Sequence, residues 1–215
     1  MTRTIRAAMA AVVAAAGAAS AGADEPAAKG KADPLGTPLS LTITGTAKYA
    51  FDPAPLTADE YQKQLEHAAK KGKPAKFGSK LPAPPAVDLA VELKNTSARP
   101  VTVWVKGDPV VLSLNLSGKG AVNLDPPIAM TREYRIPQEL KLDPGKSHTF
   151  PVKQLKSGMR GMTHYSYWSG PGDYELTATL RTGVNPAPKG AEASEGFGQV
   201  TLTSPPFKLT VAEGK

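Results

Sequence analysis

Between Val87 and Val105 the chain reads VDLAVELKNTSARPVTVWV. Val87, Leu89, Val91 and Leu93 alternate with Asp88, Ala90 and Glu92, so a pleated strand sets four apolar side chains on one face and mostly polar ones on the other. Asn95, Thr96 and Ser97 supply turn chemistry, and Val101, Val103 and Val105 resume the alternation in the opposite phase to Trp104. The pattern predicts two half-buried β-strands joined by a tight corner.

The rest of the chain repeats that grammar. Leu39, Leu41 and Ile43 alternate with Ser and Thr, and Gly45 marks a bend before Tyr49 and Phe51. One helix is expected, over about 57–72: Thr57 and Glu60 form a capping box, Tyr61, Leu65, Ala68 and Ala69 share a face, and Gly72 with Pro74 stops it. A basic, proline-bearing connector follows, with Phe77 and Leu81 as its large apolar residues. Further strands are expected at Val110–Leu116, Ala121–Leu124, Leu140–Leu142, Phe150–Val152, Tyr174–Leu180, Val200–Leu202 and Phe207–Val211, with a weak one at Tyr134 and Ile136. Asp143-Pro144-Gly145-Lys146 is a turn in which Pro presets one φ and Gly supplies the next. Lys153–Gly172 and Gly183–Gly198 are read as long loops. Short strands separated by turn residues, with one helix inserted, predict an all-β immunoglobulin-like antiparallel β-sandwich over residues 38–213. A closed barrel fits the alternation nearly as well.

The chain's beginning changes the picture of where this body works. Arg3 and Arg6 precede an unbroken run of small apolar residues from Ala7 to Ala18, and Ala21-Gly22-Ala23 fits a cleavage site, so residues 1–23 read as an export signal and 24–37 as a flexible leader. No later apolar stretch approaches the length of a membrane helix, which points to a periplasmic or extracellular location. The full chain of 215 residues carries a formal charge of +7, which falls to +5 once Arg3 and Arg6 leave with the signal. The charges are dispersed apart from Lys70, Lys71, Lys73, Lys76 and Lys80, so nucleic acid is not an expected partner. There is no cysteine, which excludes disulfides and thiolate chemistry and leaves burial to stabilise the fold.

LKNTSARPVTV, LKLDPGKSHTFPV and GPGDYELTATL occur in that order. This resembles bacterial immunoglobulin-like domains, and in particular the BsuPI-type proteinase inhibitor domain, over roughly Val87–Leu180. The resemblance implies the fold, with Tyr174 in the place of an immunoglobulin tyrosine corner and Leu176 in the place of the usual Cys. That family is named for action on intracellular proteinases, and no residue here is assigned an inhibitory role.

Candidate chemistry is sparse. Tyr165, Tyr167 and Trp168 offer either an aromatic contact surface or a packed lid. Met159, Met162 and His164 are residue types that suit copper. His148, eleven residues before Met159, completes a spacing that resembles half of the Met/His motif of periplasmic copper chaperones, but Arg181 and Gly183 stand where the second half would lie. No nucleophile elbow, phosphate loop or closely spaced acidic set occurs. The sequence therefore predicts a non-enzymatic exported domain without a cofactor. Its expected partner is another protein or a cell-envelope component, with a secreted proteinase inhibitor and a periplasmic copper-binding protein as the alternatives.

Overall fold

Fourteen strands and one helix carry the alternating pattern in the computed structural model, which describes residues 36–70, 81–125, 134–159, 162–191 and 193–214. The export signal, most of the leader, the lysine-rich connector with Phe77, and the helix stop at Gly72 and Pro74 lie outside the described residues. In chain order the elements are β1 (Leu39–Gly45), β2 (Lys48–Ala50), α1 (Ala58–Lys70), β3 (Ala86–Asn95), β4 (Val101–Lys106), β5 (Val111–Gly118), β6 (Ala121–Leu124) and β7 (Gln138–Leu142). They continue with β8 (Ser147–Gln154), β9 (Lys156–Met159), β10 (Met162–Trp168), β11 (Gly172–Asn185), β12 (Ala193–Ser194), β13 (Phe197–Thr203) and β14 (Phe207–Ala212).

One layer is the sheet β1-β3-β8, in which Leu41 faces Leu93 and Ile43 faces Val91. The other is organised on β11, the longest strand at 14 residues. Its residues Tyr174–Arg181 pair with β5 on one side, while β14 and then β13 pair along the other. Val184 and Asn185 also pair with β4, which carries β7 at the sheet's edge. Alternate residues of both layers, among them Val91, Leu93, Val103, Leu116, Leu176, Leu180 and Leu209, form one buried cluster. Each such side chain contributes about 1.5–3 kcal/mol on burial, which is how a cysteine-free chain holds two sheets together.

The chain changes layer at Gly45. A Cβ there would lie 2.4 Å from the Asp88 carbonyl oxygen, and its φ of 125° suits glycine alone. Beyond it β2 leaves β3 and joins β14, the only parallel pair among the described residues. Every other ladder among the described residues is antiparallel, as expected.

A third sheet, β6-β10-β9, extends the first layer through backbone bonds from the Leu155 N–H to Pro85 and from the Ser166 N–H to Leu155, both 2.9 Å. It covers the edge of β5 with side chains. The Asn123 amide accepts from the Leu116 N–H and donates to the Leu116 carbonyl, and Ser157 Oγ accepts from the Leu114 N–H. A strand edge is thus satisfied without a strand.

Helix α1 sits against this third sheet. Its capping box is made in both directions: Glu60 N–H donates to Thr57 Oγ1 and Thr57 N–H to Glu60 Oε2. Tyr61 and Leu65 are buried and Ala68 is half-buried, whereas Ala69 is exposed. Leu81 packs partly against the core, as expected of the connector's end.

Tyr174 forms the tyrosine corner, its hydroxyl donating to the Gly170 carbonyl at 2.7 Å. Together with the two facing sheets this makes the body an immunoglobulin-like β-sandwich with an inserted helix.

Of two loops expected from the sequence, the first is largely strand, and the second is a loop over 186–191 with strand at its ends and at Ala193–Ser194. Lys153–Gly172 contains the end of β8 and all of β9 and β10, and Gly183–Gly198 contains the end of β11, the whole of β12 and the start of β13. Ser166, Tyr167 and Trp168 are all buried, as are Thr182, Gly183 and Val184. Strands covered on both faces lose the apolar-polar alternation that would have announced them. Conversely, Tyr134 and Ile136 belong to no strand.

Candidate functional site

Each sequence-derived contact residue has a definite place on β10. Tyr167 is fully buried, its hydroxyl donating to the Pro82 carbonyl at 3.0 Å and its ring meeting Tyr61 edge-on. Burial raises its hydroxyl pKa far above 10, and pushes that of Tyr61 up to about 12. Trp168 is 4% exposed and stacks on Tyr49 at 5.4 Å. Tyr165 is half-buried and packs against the core. Tyr167 and Trp168 are therefore the lid rather than the surface, and offer a partner almost no contact area.

Met162 and His164 lie toward the other end of the same strand, and Met159 at the end of its neighbour β9. The β9-β10 register sets Met159 opposite Met162 and Ser157 opposite His164, whose Nδ1 stands 3.1 Å from Asp125 Oδ1. The side chains of Met159 and Met162 lie outside what is described. His148 is remote from them: it faces Leu93 near the start of β8, whereas Gln154 at that strand's end faces Ala86. Six residues of extended chain separate those two positions by about 20 Å, so the half-motif spacing does not become a shared site. Among the described residues, no group of three or more His, Cys, Asp or Glu is placed to hold a metal ion.

His148 has a different consequence. It stands edge-on to Phe150 at 4.7 Å, and burial, then the charge of Lys106, holds its pKa below 6.5. The folded state prefers the neutral ring, so this contribution to stability is full above pH 6.5 and is lost as pH falls from there toward the folded value. His148→Gln is expected to flatten the fall in melting temperature over that acid window. Identical pH profiles for the two proteins would remove His148 as the cause.

A cleft of ≈ 620 Å³ beside the start of α1 is lined by Phe51, Pro53, Ala58 and Pro171, with Asp52 and Glu213 as its charged groups.

The feature that sequence reading missed is the edge formed by Tyr134–Leu142. Tyr134 is 70% and Ile136 85% exposed, the exposed large apolar side chains among the described residues. Their segment is held in place: Arg135 N–H donates to Asp108 Oδ2, and Asp108 N–H donates to the Arg135 carbonyl, each at 2.9 Å. The Ile136 carbonyl turns toward Gly107, where a Cβ would approach its oxygen to 2.4 Å. The segment continues directly into β7, which pairs with β4 and, among the described residues, with nothing on its outer side. Period-two spacing of Tyr134 and Ile136 was the available signal, and it pointed to a buried strand.

No family model matches the chain, and no curated protein matches it.

Proposed function

We propose that the chain is an exported, non-enzymatic immunoglobulin-like binding domain whose contact surface is the Tyr134–Leu142 edge. The observation that carries the reading is the pair Tyr134 and Ile136, exposed at 70% and 85% on a segment pinned by Asp108. Large apolar side chains left in water cost the isolated domain free energy, and pinning them removes much of the ordering entropy a partner would otherwise supply. An unpaired strand edge beside them adds backbone donors and acceptors for an extended segment of a partner. The aromatics of β10 support this placement by being occupied elsewhere, in the packing of α1 and β2.

The test is capture of components from a cell-envelope extract on the immobilised chain, beside a Tyr134→Ser/Ile136→Ser variant. A specific component is expected to be retained by the first and lost by the second. Both side chains are exposed, so the variant should melt within about 0.5 kcal/mol of the parent. Equal retention by both proteins would place the contact elsewhere.

A further inference from the structure

We propose that the occupant of this edge is a second copy of the chain, paired antiparallel through β7 about a two-fold axis at Leu140; the proposal rests on the binding reading above. Glu139 and Lys141 are exposed and share the outer face of β7, while Leu140 and Leu142 turn toward the core. In a symmetric antiparallel pair, residues directly opposite each other must lie on the same face, so the axis passes through a residue and never between two. Only a few registers are then available, and charge distinguishes them.

An axis at Glu139 sets that carboxylate against its own copy, and one at Lys141 does the same with two ammonium groups. An axis at Gln138 sets Lys141 against Arg135. At Leu142 the pairing runs off the strand into the Asp143–Lys146 turn, whose Lys146 N–H closes on the Asp143 carbonyl at 3.0 Å. At Leu140, Glu139 of each copy meets Lys141 of the other, twice by symmetry. Opposite charges directly across a ladder stabilise it and like charges oppose it, so one register is selected and its neighbours are disfavoured.

The same register uses the exposed pair. The pinned extension carrying Tyr134 and Ile136 runs alongside the second copy's Asp143–Lys146 turn, where Pro144 supplies an apolar surface and Lys146 a cation for the Tyr134 ring. Edge strands avoid pairing through charge, lysine above all, or an interrupting proline. Edge strand β8 carries Pro151 and Lys153 within it, whereas the proline beside β7, Pro137, precedes the strand, and its Lys141 is matched by Glu139 on the same face. Five paired residues and two apolar anchors from each copy make a small interface, of the size class of weak and transient contacts.

Sedimentation equilibrium of the purified chain across the micromolar to millimolar range tests this. A monomer-dimer equilibrium is expected, weakened about tenfold or more by Glu139→Lys. The exchanged pair Glu139→Lys/Lys141→Glu should return it to within about threefold of the parent, because the two-fold axis restores both contacts. Far-UV circular dichroism confirms that each variant is folded. A chain that stays monomeric throughout, or a dimer that Glu139→Lys leaves unchanged, overturns the proposal. If envelope capture still depends on Tyr134 and Ile136 while the chain is monomeric, the edge is a contact surface for a different protein and only the self-pairing fails.

Discussion

Asn95→Ala is expected to lower the unfolding free energy by about 2–3 kcal/mol and the melting temperature by about 5–10 °C. Asn95 is fully buried, yet every polar atom of its side chain is used. Its Nδ2 donates to the carbonyls of Arg99 and Leu142 at 2.8 and 2.9 Å, and its Oδ1 accepts from the Ser97 N–H and hydroxyl. Its backbone accepts from the Gly145 N–H and donates to the Lys146 carbonyl. The side chain therefore ties the corner after β3 to the end of β7, while the backbone of the same residue holds the turn before β8. Alanine keeps the backbone bonds but removes the side-chain bonds together and strips the Leu142 carbonyl of a buried donor. Asn95→Asp should be worse near neutral pH, because it keeps the acceptor, loses both donations and buries a charge. As pH falls and that carboxyl protonates, its stability should climb back toward that of the alanine variant. Calorimetric melting of the three proteins checks both statements. If Asn95→Ala melts within a degree of the parent, the corner is not the joint described here.

Half of that joint was legible in the sequence. The Asx chemistry of Asn95 with Ser97 is local and announces a turn by residue type alone. The bond to Leu142 crosses 47 positions and depends on how the two layers meet, which no local pattern encodes. The same division runs through the fold. Strands β3, β4 and the first half of β11 have one wet face, so their alternation is visible. β10 has Ser166, Tyr167 and Trp168 all buried, and a run mixing polar and aromatic residues then looks like a loop. Ser166 lies inside because its hydroxyl donates to Asn123 at 2.7 Å, a partner supplied by another strand. The phase of Trp104 against its valine neighbours was visible, but its reason was not. The indole lies over Gly183 and stacks on Phe197 at 4.6 Å, and a Cβ at Gly183 would come within 2.2 Å of the ring. The glycine is there for the tryptophan on the outer face, not for a flexible loop.

The contact edge was obscured for the opposite reason. Tyr134, Ile136 and Leu140 have the spacing of buried strand residues, and apolar character normally argues for the interior. Leu140 follows that expectation by lying beside Val103 on the inner side of β7. Tyr134 and Ile136 do not, because their segment meets the body at Asp108, through the Arg135 backbone and the Tyr134 hydroxyl, and not through apolar packing. Sequence fixes which residues are apolar. Whether a second layer reaches them is a property of the assembled fold, and here an apolar pair beyond that layer's reach became the best candidate for contact with a partner.

Tyr167→Ala is expected to cost about 3–5 kcal/mol, in the range of large aromatic deletions from a packed core. For a body of this size that is a fall of about 8–15 °C in melting temperature. The ring is fully buried, meets Tyr61 of α1 at 6.5 Å, and its hydroxyl fastens the chain at Pro82. Its removal leaves a cavity between the inserted helix and the third sheet, and loosens both the helix and the connector that follows it. Tyr167→Phe separates the two contributions, since it keeps the packing and forfeits one hydrogen bond, for about 1 kcal/mol. A contact residue would behave in the reverse way, losing partner binding while leaving the melting curve in place. Should Tyr167→Ala melt like the parent and fail to capture the envelope component, the binding surface belongs on β10 and the Tyr134–Leu142 assignment falls with it.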